Sequence, residues 1–251
     1  MKGKVALVTG TGRGIGRATA LALAARGALV VGVARTESEL QDLAREAPVE
    51  IIIESLATEE GCARIVEEAR RLGPISILVN NAGVGSYHER PIWEQETAVW
   101  DEAMAVNLDA PFHLTRAAAR DMVEQRWGRI VMVSSTAGEV GAAATSAYCA
   151  SKHGLLGLMR AVAQDVARFG VTCNAVCPGW VRTQMAERHT ELEARQRAMS
   201  VEEVWAERAE EYPAGRIVAP EEVANTIAFL ASEEASGVNG EAITVALGSL
   251  W

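Results

Sequence analysis

The chain has 251 residues, 49% of them hydrophobic and 23% charged, with a formal net charge of -9. That length accommodates one large core, and the acidic balance excludes a partner that needs a basic patch, such as nucleic acid or an anionic membrane surface. No run approaches the roughly 18 apolar residues of a membrane span, and the opening stretch MKGKVALVTG enters a strand-like run with no secretion signal in it.

A strand over 4–9 leads through VTGTGRGIGRA into a helix over 15–26. Gly10, Gly12, Gly14 and Gly16 let the backbone approach an anion with no Cβ in the way, and the helix N-terminus at Ile15 offers free N–H groups to a pyrophosphate. The spacing fits neither the strict G-x-G-x-x-G fingerprint nor the P-loop. Its place between first strand and first helix is what points to dinucleotide binding.

The second strand, 28–33, runs out into Arg35 and Thr36, where an acidic residue would hold a ribose 2′-hydroxyl and an arginine a 2′-phosphate. Arg13, inside the glycine turn, projects toward the same side, and two guanidiniums can bracket a phosphate. NADP(H) is therefore the expected cofactor, with NAD(H) the alternative. The competing reading leaves Arg13 on the surface and Arg35 as a strand cap.

Helices at 38–46 and 59–72 alternate with strands at 49–53 and 75–80. A loop over 84–96 with Pro91 precedes a long helix at 97–125, a strand at 128–134, a helix at 147–169 and a strand at 171–177. Residues 184–214 break the rhythm with a charged, helical insertion, read either as a solvated hairpin or as a substrate lid. A helix at 220–231 and a strand at 242–246 close the chain.

Continuous Val/Ile/Leu runs mark strands covered on both faces, and their alternation with helices marks a doubly wound sheet. The expected fold is α/β: residues 1–251 as a single Rossmann-type NAD(P)-binding domain, a parallel sheet of about seven strands with helices on both faces. Cys62, Cys149, Cys173 and Cys177 lack zinc-like spacing and read as free thiols of a reduced, cytoplasmic protein. His88, His113, His153 and His189 are isolated, so no metal site is expected. Trp180 and Trp205 are candidates to line a substrate pocket.

In the stretch YCASK, Tyr148 and Lys152 stand four residues apart on a helix, so both side chains share one face. The pair is either an incidental surface contact or an acid/base device. Together with TGTGRGIG at 9–16, NNAG at 80–83, Asn107, Ser135 and PGWVRT at 178–183, all in register, the chain resembles the short-chain dehydrogenase/reductase family from about Gly3 to Ala246.

The resemblance implies a catalytic tetrad of Asn107, Ser135, Tyr148 and Lys152. Tyr148 is implied as general acid/base, Lys152 as the group that binds the nicotinamide ribose and acidifies Tyr148, and Ser135 as the group orienting the substrate oxygen. Asn107 would hold a relay water through its main chain. Asn81, Ala82 and Gly83 would line the adenine-side ribose, and Pro178, Gly179, Val181 and Thr183 the nicotinamide carboxamide. Bringing a tyrosine from near 10 to about 7 needs roughly 4 kcal/mol, and an ammonium about 4–5 Å away supplies on the order of 3–4 kcal/mol.

The chain departs from the family pattern after the third strand, where Ser55 replaces a common adenine-binding aspartate; Ser55 and the backbone near Leu56 are the remaining candidates. The tail TVALGSLW replaces a double-glycine segment, and Trp251 is a candidate interface residue. The expected activity is interconversion of a small-molecule ketone and a secondary alcohol, with 3-oxoacyl-thioester or polyketide ketoreduction as the alternative. A non-catalytic dinucleotide sensor is disfavoured by the intact tetrad, and a nucleotide-sugar epimerase by the lack of room for a substrate domain. The family implies a homotetramer, or a dimer; the glutamates of the insertion argue against a carrier-protein partner.

Overall fold

The computed structural model describes residues 1–85 and 90–249; His88 and Trp251 lie outside the described residues. Strands β1 (Val5–Thr9), β2 (Leu29–Ala34), β3 (Val49–Ile53), β4 (Ile75–Asn80), β5 (Gly128–Val133), β6 (Val171–Pro178) and β7 (Ala242–Val245) form one parallel sheet in the order β3-β2-β1-β4-β5-β6-β7. Every residue of β1, β4, β5 and β6 is buried, as their unbroken apolar runs require. Side chains alternate between two cores. Leu7, Leu78, Ile130 and Met132 meet Ile65 of α3 (Glu59–Ala69), Leu114 of α5 (Ala110–Gln125) and Met159 of α6 (Ser146–Val166). Ala6, Val8, Val79, Val131 and Val176 meet Leu23 of α1 (Gly14–Ala25), Leu43 of α2 (Glu37–Glu46) and Ile227 of α9 (Pro220–Leu230). Cys62, Cys149, Cys173 and Cys177 are buried free thiols.

Two helices differ from their sequence expectation. The helix expected over 97–125 is α4 (Thr97–Met104), a π-turn over Ala105–Asp109, and then α5. Pro111 explains the break: it lacks the N–H that an α-helix would direct at the carbonyl of residue 107, and its ring crowds that carbonyl.

The insertion is a hairpin of α7 (Gln184–Arg197) and α8 (Val201–Glu210), split where Ala198 takes a left-handed φ of 53°. It is packed rather than merely solvated. The Arg208 guanidinium is buried 3.7 Å from the Trp180 ring and 5.2 Å from the Trp205 ring, and it pairs with Glu193 at 2.5 Å.

Ser200 and Glu203 close a reciprocal capping box on α8, with Glu203 N–H donating to Ser200 Oγ at 3.2 Å and Ser200 N–H to Glu203 Oε2 at 2.8 Å. Replacing Ser200 by alanine removes one of these bonds, and urea unfolding is expected to register a loss of about 1 kcal/mol.

Candidate functional site

The carboxyl ends of β1 and β4 lie side by side, and the chain leaves them toward opposite halves of the sheet, which is where doubly wound folds open a crevice. The Thr9 hydroxyl binds the two ends together. It accepts from the N–H groups of Asn81 and Ala82, each at 3.0 Å, while Asn81 Nδ2 donates to the Thr9 carbonyl at 2.8 Å. Above this join runs a cleft of about 890 Å³, lined by every residue of the expected catalytic and cofactor-binding sets except Asn107.

In the adenosine half, Gly10 and Gly14 have φ of +72° and +56°. A Cβ at Gly16 would collide with the Gly10 carbonyl and the Asn81 amide. Helix α1 has no acidic residue in its first turn and no side-chain cap on its N-terminus, so its N–H groups remain available to an anion. Thr183 stands across from it, 3.1 Å from where a Gly14 Cβ would be, and caps α7 by accepting from Ala186 N–H at 3.3 Å. This donor set fits a dinucleotide pyrophosphate. Ser55 and Leu56 line the far end of the cleft, with Ser55 Oγ accepting from Ala57 N–H at 3.3 Å. Arg35 and Thr36 line it too, but Arg13 is paired with Glu39 at 2.9 Å. That carboxylate was not anticipated from the sequence.

The other half gathers Ser135, Tyr148 and Lys152. Lys152 is 4% exposed, its Nζ donates to the Val133 carbonyl at 2.9 Å, and it lies 5.7 Å from the centre of the Tyr148 ring. Burial lowers the ammonium to a pKa of about 8. Tyr148 is half-buried, and Ser135 Oγ accepts from Ala137 N–H at 3.1 Å.

Asn107 stands behind the cleft wall. Its amide accepts from Val84 N–H at 2.8 Å, donates to the Val84 carbonyl at 3.0 Å and to Ser151 Oγ at 3.1 Å. Ser151 in turn donates to the Tyr148 carbonyl at 2.8 Å. A Cβ at Gly83 would stand 3.2 Å from Asn107 Oδ1 and 3.5 Å from Lys152 Nζ, so a bare backbone lets that segment lie against both.

Pro178, Gly179 and Val181 form the remaining wall with Trp180. The Tyr212 hydroxyl accepts from Trp180 N–H at 2.5 Å and fills the space a Gly179 side chain would take. Trp180 lines the cleft as anticipated; Trp205 does not, because its indole is buried in the hairpin and donates to Glu187 at 2.9 Å. His189, expected to stand alone, lies 5.1 Å from Trp180 and accepts from Arg208 at 3.0 Å. Among the described residues no group of His, Cys, Asp and Glu could hold a metal.

Sequence reasoning missed Thr9, Ser151, Tyr212 and Glu39. Each acts on a partner many residues away, and none carries a local signal beyond its residue type.

The short chain dehydrogenase family model matches residues 4–194. The D-beta-hydroxybutyrate dehydrogenase of Cupriavidus necator is 38% identical, over 96% of this chain and 95% of that protein. The 3-oxoacyl-[acyl-carrier-protein] reductase FabG of Escherichia coli is 36% identical, over 97% of this chain and 96% of its own. Among solved structures, an actinorhodin polyketide ketoreductase variant with NADPH superposes with a TM-score of 0.91 at 34% identity, covering 98% of each chain. Levodione reductase superposes at 0.92 with 30% identity, covering 99% of this chain and 98% of its own.

The buried ammonium has a measurable cost. Lys152 falls from its usual 10.5 to about 8 on burial, so the unfolded chain binds more protons than the folded one between those values, and stability rises with pH across that window. Below it the full penalty applies. Lys152→Met is therefore expected to be more stable than the parent at pH 7, by about 1–3 kcal/mol, with the advantage shrinking as pH rises. Urea unfolding at the two ends of the window checks this, and a variant less stable at pH 7 would contradict it.

Proposed function

The chain belongs to the short-chain dehydrogenase family of oxidoreductases, and we propose that it interconverts a ketone and a secondary alcohol with NADP(H), using Tyr148 as general acid/base. The observation that carries this reading is the Lys152 ammonium, buried at the cleft floor beside Tyr148. The nicotinamide, when bound, supplies or accepts the hydride. A positive charge 5.7 Å from the centre of the phenol ring favours the anion of that phenol over its neutral form, the condition for proton exchange with a substrate oxygen.

In reduction Tyr148 gives its proton to the carbonyl oxygen, which Ser135 orients by hydrogen bonding. Lys152 binds the nicotinamide ribose, and the Asn107 main chain holds a relay water; the missing donor at Pro111 supports that role. Pro178, Gly179, Val181 and Thr183 hold the carboxamide side, Asn81, Ala82 and Gly83 the adenine-side ribose, and Arg35 the 2′-phosphate, with Arg13 the second guanidinium at that end, paired with Glu39. Four buried free thiols fit a cytoplasmic setting, and no described helix is long and apolar enough to cross a membrane. Exposed Trp100 on α4 and Phe112 on α5, helices that both pack on α6, support a homotetramer.

A second reading, a 3-oxoacyl-thioester or polyketide ketoreductase, is favoured by the similarity to FabG and to the actinorhodin enzyme.

NADPH and NADH oxidation over a panel with a β-keto thioester mimic, a bicyclic ketone, a diketone and an aryl ketone tests both readings. We expect NADPH-linked turnover that drops by about 10²–10⁴-fold in Tyr148→Phe, with NADPH affinity retained. Undiminished turnover in the variant would remove Tyr148 from the chemistry. The thioester leading the panel would select the second reading.

A further inference from the structure

The adenosine end of the cleft holds a carboxylate on the glycine turn that the proposed cofactor reading does not use. Glu39 lies in the first turn of α2, and its Oε1 meets Arg13 NH1 at 2.9 Å. The same carboxylate lies against Gly12, close enough that any Cβ there would collide with it. Glu39 is therefore seated on the glycine turn and lines the cleft with Arg13, Arg35 and Thr36. Glu54, the other carboxylate that lines this end, is paired with Arg64 at 2.7 Å. Arg35 is exposed and has no hydrogen-bond or ion-pair partner among the described residues. Of the two guanidiniums expected to meet a 2′-phosphate, one is neutralised by a carboxylate at contact distance and one is available.

We propose that Glu39 is a cofactor-specificity residue: it holds Arg13 back from a ribose 2′-phosphate and offers an acceptor to a ribose 2′-hydroxyl, so that the chain binds both NADPH and NADH. The inference rests on reading the cleft as a dinucleotide site with Arg13 and Arg35 at its adenosine end. The electrostatic logic is direct. A doubly charged phosphate entering here must draw Arg13 off its partner and then sit near the carboxylate left behind, and like charges at that range repel. A neutral hydroxyl meets neither obstacle and can donate to Glu39, as acidic residues at the end of the second strand of such folds do. The pair is partly exposed, with 45% and 29% of the two side chains accessible. Salt should therefore weaken the effect.

The test is binding of each cofactor, followed by protein fluorescence, so no substrate is needed. Glu39→Gln keeps the shape and removes the charge. It is expected to tighten NADPH by about three- to tenfold and to weaken NADH, with the gain shrinking between low and high salt. In Arg13→Ala/Glu39→Gln the gain for NADPH should vanish, because the released guanidinium is its source. A Glu39→Gln protein that binds NADPH more weakly would overturn the proposal, since Glu39 would then be presenting Arg13 to the phosphate. Unchanged affinity for both cofactors would overturn it as well. The underlying reading fails differently: if Arg35→Ala leaves parent NADPH affinity untouched, the phosphate does not bind where Arg35 stands. The Glu39→Gln ratio still decides the role of the carboxylate in that case.

Discussion

A primary ammonium held almost out of reach of water sets the terms for the surrounding architecture. Lys152 keeps one backbone carbonyl, that of Val133, as its hydrogen-bond acceptor at 2.9 Å, and burial opposes its charge. An ion in such a place must be compensated by neighbours or lose its proton. The end of β5 supplies the carbonyl. Gly83, with no side chain, lets the loop after β4 come up to the ammonium. The Ser134 hydroxyl donates to the Lys152 carbonyl at 3.1 Å and fixes the first turns of α6 against the sheet. The folded state accepts an unfavourable charge beside the Tyr148 phenol, and the proposed acid/base chemistry would draw on that charge.

The rest of the cleft follows from the sheet. Reversal of strand order between β1 and β4 leaves two loop-bearing edges with nothing between them, and the Thr9–Asn81 join keeps those edges at fixed separation. One edge leads into the N-terminus of α1 and the other into Asn107 and Tyr148 through Val84 and Ser151. The two halves are thus indexed to each other by hydrogen bonds among side chains and backbone rather than by packing alone, which fixes orientation as well as distance.

Much of this arrangement is legible in the sequence. Unbroken apolar runs reported buried parallel strands because both faces of each strand are covered, and the i, i+4 relation placed Tyr148 and Lys152 together because a helix leaves no other option. The glycine turn was readable because the steric demand of a missing Cβ is written in the residue itself. What escaped was tertiary. Pro111 was visible, but the pattern around it stayed helical, so a π-turn at Asn107 could not be separated from a continuous helix. Tyr212 sits in a stretch dominated by charge, and its use depends on a turn more than thirty residues away. Glu39 looked like an ordinary first-turn acid of α2, since such residues favour helix N-termini in any case. The insertion left two readings open because its few apolar residues gave no clear stripe; Arg208, a charged residue, turned out to supply much of its packing.

The Tyr212 hydroxyl has a mechanical consequence. It is carried by the segment after α8, yet it accepts the N–H of Trp180 in the wall opposite the glycine turn, and the ring of Trp180 rests on Arg208 from the same hairpin. The hairpin and the wall therefore share a latch. Helix α8 and the cleft wall are thereby tied through one phenolic oxygen and one stacked guanidinium, so a displacement of the hairpin would be transmitted to Trp180.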